Sequence, residues 1–316
     1  MRESARRTLV SAACVLGLAA AAAPALSTAA ASPAAAASVA AGSSSLPTPG
    51  LYHQPIIGKV VLPGLGQVLG HGLRHATNVQ SQNWSGYADN QDTYDSVAAS
   101  WIQPAVDCSA GGGGGVGILN GLLGGNGLGN LLGPGSSASS FWVGLDGYAS
   151  NSVEQLGADS DCNGQTPTYY AWWEMFPNPS QPLSSAYPVH PGDQMTAWVV
   201  SNGSGTTFFL ALKDSTAGWF FGTTQNASPG FGRSSAEVVA EAPSSCNLLF
   251  CSELPLADFG QVGFGNADLI DNAGHEGSLA AFNANAITMA VNNRTLAVPS
   301  NLSADGRSFS VSWQNS

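Results

Sequence analysis

Positive charge is what this chain has least of. Nine lysines and arginines stand against twenty aspartates and glutamates, and charged residues of either sign make up only 9% of the sequence. From Thr77 onward nineteen carboxylates face four cations, Lys213, Arg233, Arg294 and Arg307. Such a body repels phosphate backbones and anionic headgroups, which argues against nucleic acid or a charged membrane as partner. It also suits an acid medium, where carboxylates neutralise and few cations remain to repel one another. An ordinary solvated surface has the same composition, so charge alone does not decide between them. Other absences narrow the chemistry. There is no Gly-x-Ser-x-Gly elbow. His275-Glu276 is followed by Gly-Ser-Leu, so the zinc-protease spacing fails, and His190 sits in no recognisable triad. The cysteine spacings match no zinc pattern. No metal and no cofactor are expected. Helical periodicity with caps is missing as well.

Long apolar runs are absent except at the start. Arg2, Arg6 and Arg7 precede a nearly apolar stretch from Thr8 to Ala23, and Ala29-Ala-Ala31 offers small residues for cleavage. Residues 1–31 therefore read as an export signal, too short and alanine-rich for a membrane anchor. Arg6-Arg7 leaves both the twin-arginine and the ordinary route open. The mature protein is expected to be secreted, free of membrane and monomeric. Cys14 would leave with the signal. Cys108, Cys162, Cys246 and Cys251 remain, an even number in an exported chain, and are expected as disulfides. Three pairings are possible. Cys246 and Cys251 are close enough to clip one loop, which would leave Cys108 with Cys162.

Residues 32–76 contain no acid, and read as a pro-segment. Its first part is Ala/Ser/Pro-rich, a composition that favours disorder. The second part regains Val, Leu and Ile and carries Lys59, Arg74, His53, His71 and His75. Those cations are suited to cover an acidic cleft near neutral pH and to leave as its carboxylates protonate. Residues 77–316 are long enough for one well-buried catalytic domain. Within them, residues 109–137 form a Gly-rich insertion. It lacks the strand–helix context of a nucleotide loop and any phosphate-binding lysine, so a surface loop is expected.

What is abundant is β-forming sequence. Segments 95–103, 139–146, 152–158, 168–176, 194–201, 206–213, 218–224, 234–242, 259–265, 286–292 and 308–314 are rich in Val, Thr, Phe, Tyr and Trp. Gly, Pro, Asn, Asp and Ser bound them. Many short strands with frequent turns predict an all-β antiparallel sandwich or barrel. Four of these segments place polar groups among large apolar ones: Phe141–Gly147, Val153–Gly157, Tyr169–Pro177 and Ala236–Glu241. Burying an unpaired carboxylate is costly, so several in strand-like runs point to a site. Alternate residues share a face. That groups Glu237 with Val239 and Glu241, and Tyr170 with Trp172, Glu174 and Phe176. It also aligns Trp142 with Gly144 and Asp146, and Val153 with Gln155 and Gly157. Aromatic walls over acids and an amide make a plausible cleft. Taken singly each residue has a plainer reading: Asp146 as a turn residue, Glu174 at an exposed edge, the tryptophans as core.

Together these stretches resemble the glutamic peptidases, or eqolisins, known as secreted fungal acid proteases insensitive to pepstatin. The resemblance rests on Asn83-Trp-Ser-Gly86, Trp142-Val-Gly-Leu-Asp-Gly147, Gln155-Leu-Gly157, Ala171–Pro177 and Ala236–Glu241. It implies a sandwich of two large antiparallel sheets with a substrate cleft on one curved face. It also implies a catalytic Gln/Glu dyad, which falls on Gln155 and Glu241. Trp84, Trp142, Asp146, Trp172, Glu174 and Phe176 then stand as supporting or substrate-binding residues, and synthesis as a precursor agrees with residues 32–76. Two departures are visible. The fungal members have a cysteine shortly before the dyad glutamine, where this chain has none, and the Gly-rich insertion has no counterpart. Polypeptide is the implied substrate. Two rivals share an aromatic, acid-lined cleft: a jelly-roll glycoside hydrolase, which needs two carboxyls where this chain offers Gln155, and a non-catalytic carbohydrate-binding sandwich.

Overall fold

Period-two alternation with β-branched and aromatic residues drives nearly every segment of this chain into strands. The computed structural model describes residues 50–62, 77–109, 135–227, 230–247 and 249–314, and these contain strands and no helix. The signal, the Ala/Ser/Pro-rich stretch up to residue 49, His71, Arg74, His75 and residues 110–134 of the Gly-rich insertion lie outside the described residues. In chain order the strands are β1 (Gly50–Tyr52), β2 (Val60–Val61), β3 (Asn78–Ser81), β4 (Trp84–Asp89), β5 (Tyr94–Ile102), β6 (Ser140–Leu145) and β7 (Val153–Asn163). They continue with β8 (Thr166–Phe176), β9 (Gln181–Pro182), β10 (Gln194–Ser201), β11 (Thr207–Asp214), β12 (Trp219–Asn226) and β13 (Ala236–Glu241). The last are β14 (Ser244–Cys246), β15 (Cys251–Glu253), β16 (Gln261–Asp271), β17 (Glu276–Gly277), β18 (Asn285–Val291), β19 (Arg294–Pro299) and β20 (Phe309–Trp313).

The strands form a sandwich. One layer runs β9–β8–β7–β6–β13–β4–β18 through successive antiparallel pairs. The other runs β12–β11–β10–β5–β16–β20–β19. Pairing of β18 with β19 joins them at one edge. The β3–β18 pair is parallel, a departure from the all-antiparallel expectation. Between the layers lies the main core. Phe141, Val143, Leu145, Leu156, Val238 and Ala240 from the first layer pack toward Val97, Trp101, Met195, Val199, Leu210 and Leu212 from the second. Exclusion of these side chains from water is the chief driving force for the fold.

The other face of the first layer is also buried, and this positions the site. Strands β4, β6 and β13 are buried at every residue. Their second face carries Trp84, Trp142, Val239 and, from β8, Trp172. Residues 50–62 cover it. β1 pairs with β14 and β2 with β3. Ser180 donates its N–H to Leu51, Ile56 donates to Gly147, and Gln82 donates to Ile57. Burial of two faces explains strands that read as nearly continuous apolar and polar mixtures.

Nine strands are missing from the segments read off the sequence: β3, β4 and β19, and the two- and three-residue strands β1, β2, β9, β14, β15 and β17. Asn78 to Asp89 is mostly polar and shows no apolar run, yet Trp84 and Tyr87 fill opposite faces. The disulfides are Cys108–Cys162, with Cα atoms 5.5 Å apart, and Cys246–Cys251, which clips the β14–β15 loop. Gly157 stands in register between Trp142 and Trp172. A Cβ there would lie 2.2 Å from the Phe141 carbonyl oxygen and 2.6 Å from the Trp142 Cβ. Overpacking of this kind costs about 1–3 kcal/mol. Gly157→Ala is therefore expected to lower the thermal midpoint by several degrees, measurable by calorimetry.

Candidate active site

Strand register brings the polar groups together. β7 and β8 place Gln155 directly opposite Glu174. β13 and β6 place Val239 opposite Trp142, and the Trp142 indole reaches past it to donate to Glu241 Oε2 at 2.8 Å. Trp84 meets Trp142 edge to face, with centroids 5.0 Å apart. Gln155, Glu174 and Glu241 are all fully buried.

The His53–Gln54 peptide unit spans the gap between Gln155 and Glu241. The Gln155 side-chain amide donates to the His53 carbonyl oxygen at 2.5 Å. The Gln54 N–H donates to Glu241 Oε1 at 3.0 Å. The contacts continue along the segment. Trp84 Nε1 donates to the Gln54 carbonyl at 3.0 Å, and Asn83 Nδ2 donates to the Gln54 and Pro55 carbonyls and to Glu241 Oε1. Asn83 Oδ1 accepts from the Ile57 N–H at 2.8 Å. Further on, Lys59 donates to the Tyr148 carbonyl and lies 4.1 Å over its ring. On the other side Tyr52 meets Phe176 edge to face. Side chains of the site thus read the backbone of this segment on both sides of one peptide bond.

Of the residues singled out from sequence, Gln155, Glu241, Trp84, Trp142, Trp172 and Glu174 converge here, with Phe176 one residue further out. Asp146 is placed elsewhere. It sits at a turn with φ 71°, and its carboxylate accepts from the backbone N–H groups of Gly232, Arg233 and Ser234 and from the Ser234 and Ser150 hydroxyls. It pins the loop before β13. Sequence reasoning passed over Asp159 and Asp161, and gave no role to Asn83 or Tyr170 although it placed both in the motifs. Asn83 precedes Trp84 in a motif already noted. Asp159 and Asp161 continue the Gln155–Gly157 face at period two.

A family model described as the Peptidase A4 family matches residues 82–313. The chain belongs to this family, the glutamic peptidases. It is a peptide-bond hydrolase by that membership. Solved structures with the same fold include scytalido-glutamic peptidase bound to a transition-state analogue inhibitor, at 24% identity and TM-score 0.58, covering 74% of this chain and 98% of that one. Another is SCP-B, an eqolisin in complex with the tripeptide Ala-Ile-His, at 22% identity and TM-score 0.54 with the same coverage. No curated protein matches the chain.

Burial dominates the electrostatics of this glutamic peptidase. Desolvation holds the Glu241 carboxyl well above the usual range, opposed by His53 and reinforced by Glu174. Desolvation also raises Glu174, to about 7, although His53 beside it pulls down. Burial would lower the His53 imidazole, but Asp159 and Glu174 outweigh it and bring it to about 10. Desolvation likewise raises Asp161, with Asp159 adding to the effect, and it raises Glu237.

Proposed function

We propose that this enzyme is a secreted acid endopeptidase made as a precursor, with Gln155 and Glu241 as its catalytic dyad and residues 50–62 as a strap across its cleft. One observation carries the reading: a single peptide unit has its carbonyl oxygen on the Gln155 amide and its N–H on the Glu241 carboxyl. That is the placement hydrolysis needs. Glu241 takes a proton from the attacking water and later delivers it to the leaving nitrogen. The Gln155 amide donates to the carbonyl oxygen as negative charge develops there, without a charge of its own to repel it. Trp142 and Asn83 hold Glu241, and Glu174 accepts from the Gln155 amide at 3.3 Å. Contacts on both sides of the bond favour an endopeptidase. A cavity of about 530 Å³ lies against Gly50 and Leu51 and is lined also by Asp161, Tyr170, Pro179 and Ser180, among others. The tripeptide bound in the SCP-B structure agrees with polypeptide substrates. The test is digestion of a denatured protein between pH 2 and 7, with and without pepstatin. Absence of pepstatin-resistant hydrolysis would overturn the reading.

The strap also sets a pH dependence. Glu174 is raised from its ordinary value to about 7, so its contribution to stability is complete below about pH 4.5 and lost as pH rises through 7. His53, raised to about 10, contributes fully below about 6.5 and loses that contribution progressively as pH rises from there through 10. Glu241, Asp161 and Glu237 shift in the same direction as Glu174. A cleavage-dead precursor is therefore expected to unfold at a higher temperature at pH 5 than at pH 8. The shift for Glu174 alone corresponds to a few kcal/mol at most. The sign runs against release of the strap by acid alone, since protonated carboxyls tolerate the burial it imposes. A midpoint that falls between pH 8 and 5 would contradict this account.

A further inference from the structure

The side chain of His53 occupies a pocket whose chemistry is narrow. The ring lies flat on Trp172, with centroids 3.5 Å apart and planes 3° from parallel. Nδ1 is 3.0 Å from Glu174 Oε2, and Nε2 is 3.5 Å from Asp159 Oδ1. The His53 backbone N–H also donates to Glu174 Oε2 at 2.9 Å. Asp159 is held from behind, together with Asp161. Trp172 Nε1 donates to Asp159 Oδ1 at 2.6 Å, and the Tyr170 hydroxyl bridges Asp159 and Asp161 at 2.9 and 3.0 Å. Ser139 fixes Asp161 through its backbone N–H. The groups facing the ring are thus Trp172, Glu174 and Asp159, with Asp161, Tyr170 and Glu241 around them. An aliphatic residue here would leave buried carboxyls without a counter-charge. A phenyl ring would stack but offer no N–H, and a lysine would offer charge without a flat face. An imidazolium meets all three demands, with one N–H at each end of a planar ring.

The structure assigns this pocket as the subsite for the residue on the acyl side of the scissile bond, selective for histidine, and His53–Gln54 as the bond the enzyme cuts in its own chain. The assignment rests on the dyad reading and deepens it. In the step itself, water oxygen bonds to the His53 carbonyl carbon while Glu241 takes the water proton. The carbon–nitrogen bond then breaks as that proton passes to the Gln54 nitrogen. The products are a carboxyl terminus at His53 and an amino terminus at Gln54, and no other reactant is needed. Cutting removes the covalent link through the dyad, which acid alone does not loosen.

The experiment uses the full-length precursor, moved from neutral buffer to a series between pH 3 and 7 and followed by intact mass and N-terminal sequencing. The expected result is a chain starting at Gln54 as the first new species, absent in Glu241→Gln. In a second arm, the acid-treated enzyme digests synthetic peptides copying Gly50–Ile57 with His, Phe, Leu or Glu at the position of His53. The histidine peptide is expected to exceed the others in kcat/KM by roughly ten- to a hundredfold, because the others leave buried polar groups unpaired. Asp159→Asn is expected to bring the His-to-Phe ratio toward one instead of lowering both rates together. A first cut elsewhere in residues 50–62, or equal rates on all four peptides, overturns the assignment. If a denatured protein is still digested in a Glu241-dependent way, the dyad survives that failure. Digestion that persists in Glu241→Gln overturns the dyad itself.

Discussion

Glu241→Gln is expected to abolish peptide hydrolysis while leaving the fold in place. The substitution keeps the size of the side chain and one of the two acceptor oxygens, so it can still accept from the Gln54 N–H or from the Trp142 indole but not from both, since these now reach Oε1 and Oε2. It removes the one property both proton transfers require, a group that can take a proton and give it back. General acid–base groups contribute roughly a hundred- to ten-thousand-fold in rate. The loss should lie at the upper end, because in the proposed mechanism a single carboxyl serves both the attacking water and the leaving nitrogen. Stability should change little. One buried donor loses its acceptor, but burial already holds this carboxyl well above its ordinary range, so a neutral amide also removes a desolvation cost that offsets the loss. The measurement is kcat/KM on a peptide substrate beside a thermal melt of the same preparation. A variant that melts like wild type and still turns over near wild-type rate ends the assignment of Glu241.

The part of this site that was legible in the sequence was legible through strand parity. Alternation alone separated Glu237, Val239 and Glu241 from Ala236, Val238 and Ala240. The structure keeps that division, with Val239 on the cleft side and Val238 and Ala240 in the sandwich core. The same rule grouped Trp172 with Glu174 and Phe176. Choosing Gln155 and Glu241 from several candidates took the family resemblance, because parity puts Glu237 on the same face and only long-range geometry separates the two. Asp146 was misplaced for a related reason. Its partners, Gly232 to Ser234, lie 86 to 88 residues away, and nothing local announces them. Asp159 and Asp161 were lost because Ala158–Cys162 looks too polar to continue a strand. It continues because Tyr170, Trp172 and Ser139 satisfy those carboxyls across the sheet. His53 was visible as part of a basic pro-segment, but its seat between Gln155 and Trp172 depends on contacts more than a hundred residues distant. Patterns of period two report which face a residue takes. They do not report which remote segment comes to cover that face.

Replacing Gln155 tests the other half of the dyad, and two substitutions separate charge from hydrogen bonding. Gln155→Ala removes the donor that now lies 2.5 Å from the His53 carbonyl oxygen. Loss of one such donor costs about a hundred- to a thousandfold in kcat, because a preorganised dipole in a dry site acts mainly on the charge that develops in the transition state. Binding of the peptide should change less, since the Trp84 and Asn83 contacts remain. Gln155→Glu keeps the shape and exchanges the amide for a carboxyl. When ionised it faces the developing oxyanion with a like charge and accepts where a donor is required, so it should be at least as inactive as Gln155→Ala. When protonated it regains an O–H donor. Its activity is therefore expected to recover as pH falls, while that of Gln155→Ala does not. Glu174 on the neighbouring strand strengthens the contrast. It is opposite residue 155 in register, and a second ionised carboxyl beside it is disfavoured, which keeps the new glutamate protonated to a higher pH than usual. The check is a pair of kcat profiles from pH 2 to 7 on one peptide substrate. Parallel profiles for the two variants would mean that residue 155 shapes the cleft without stabilising the oxyanion.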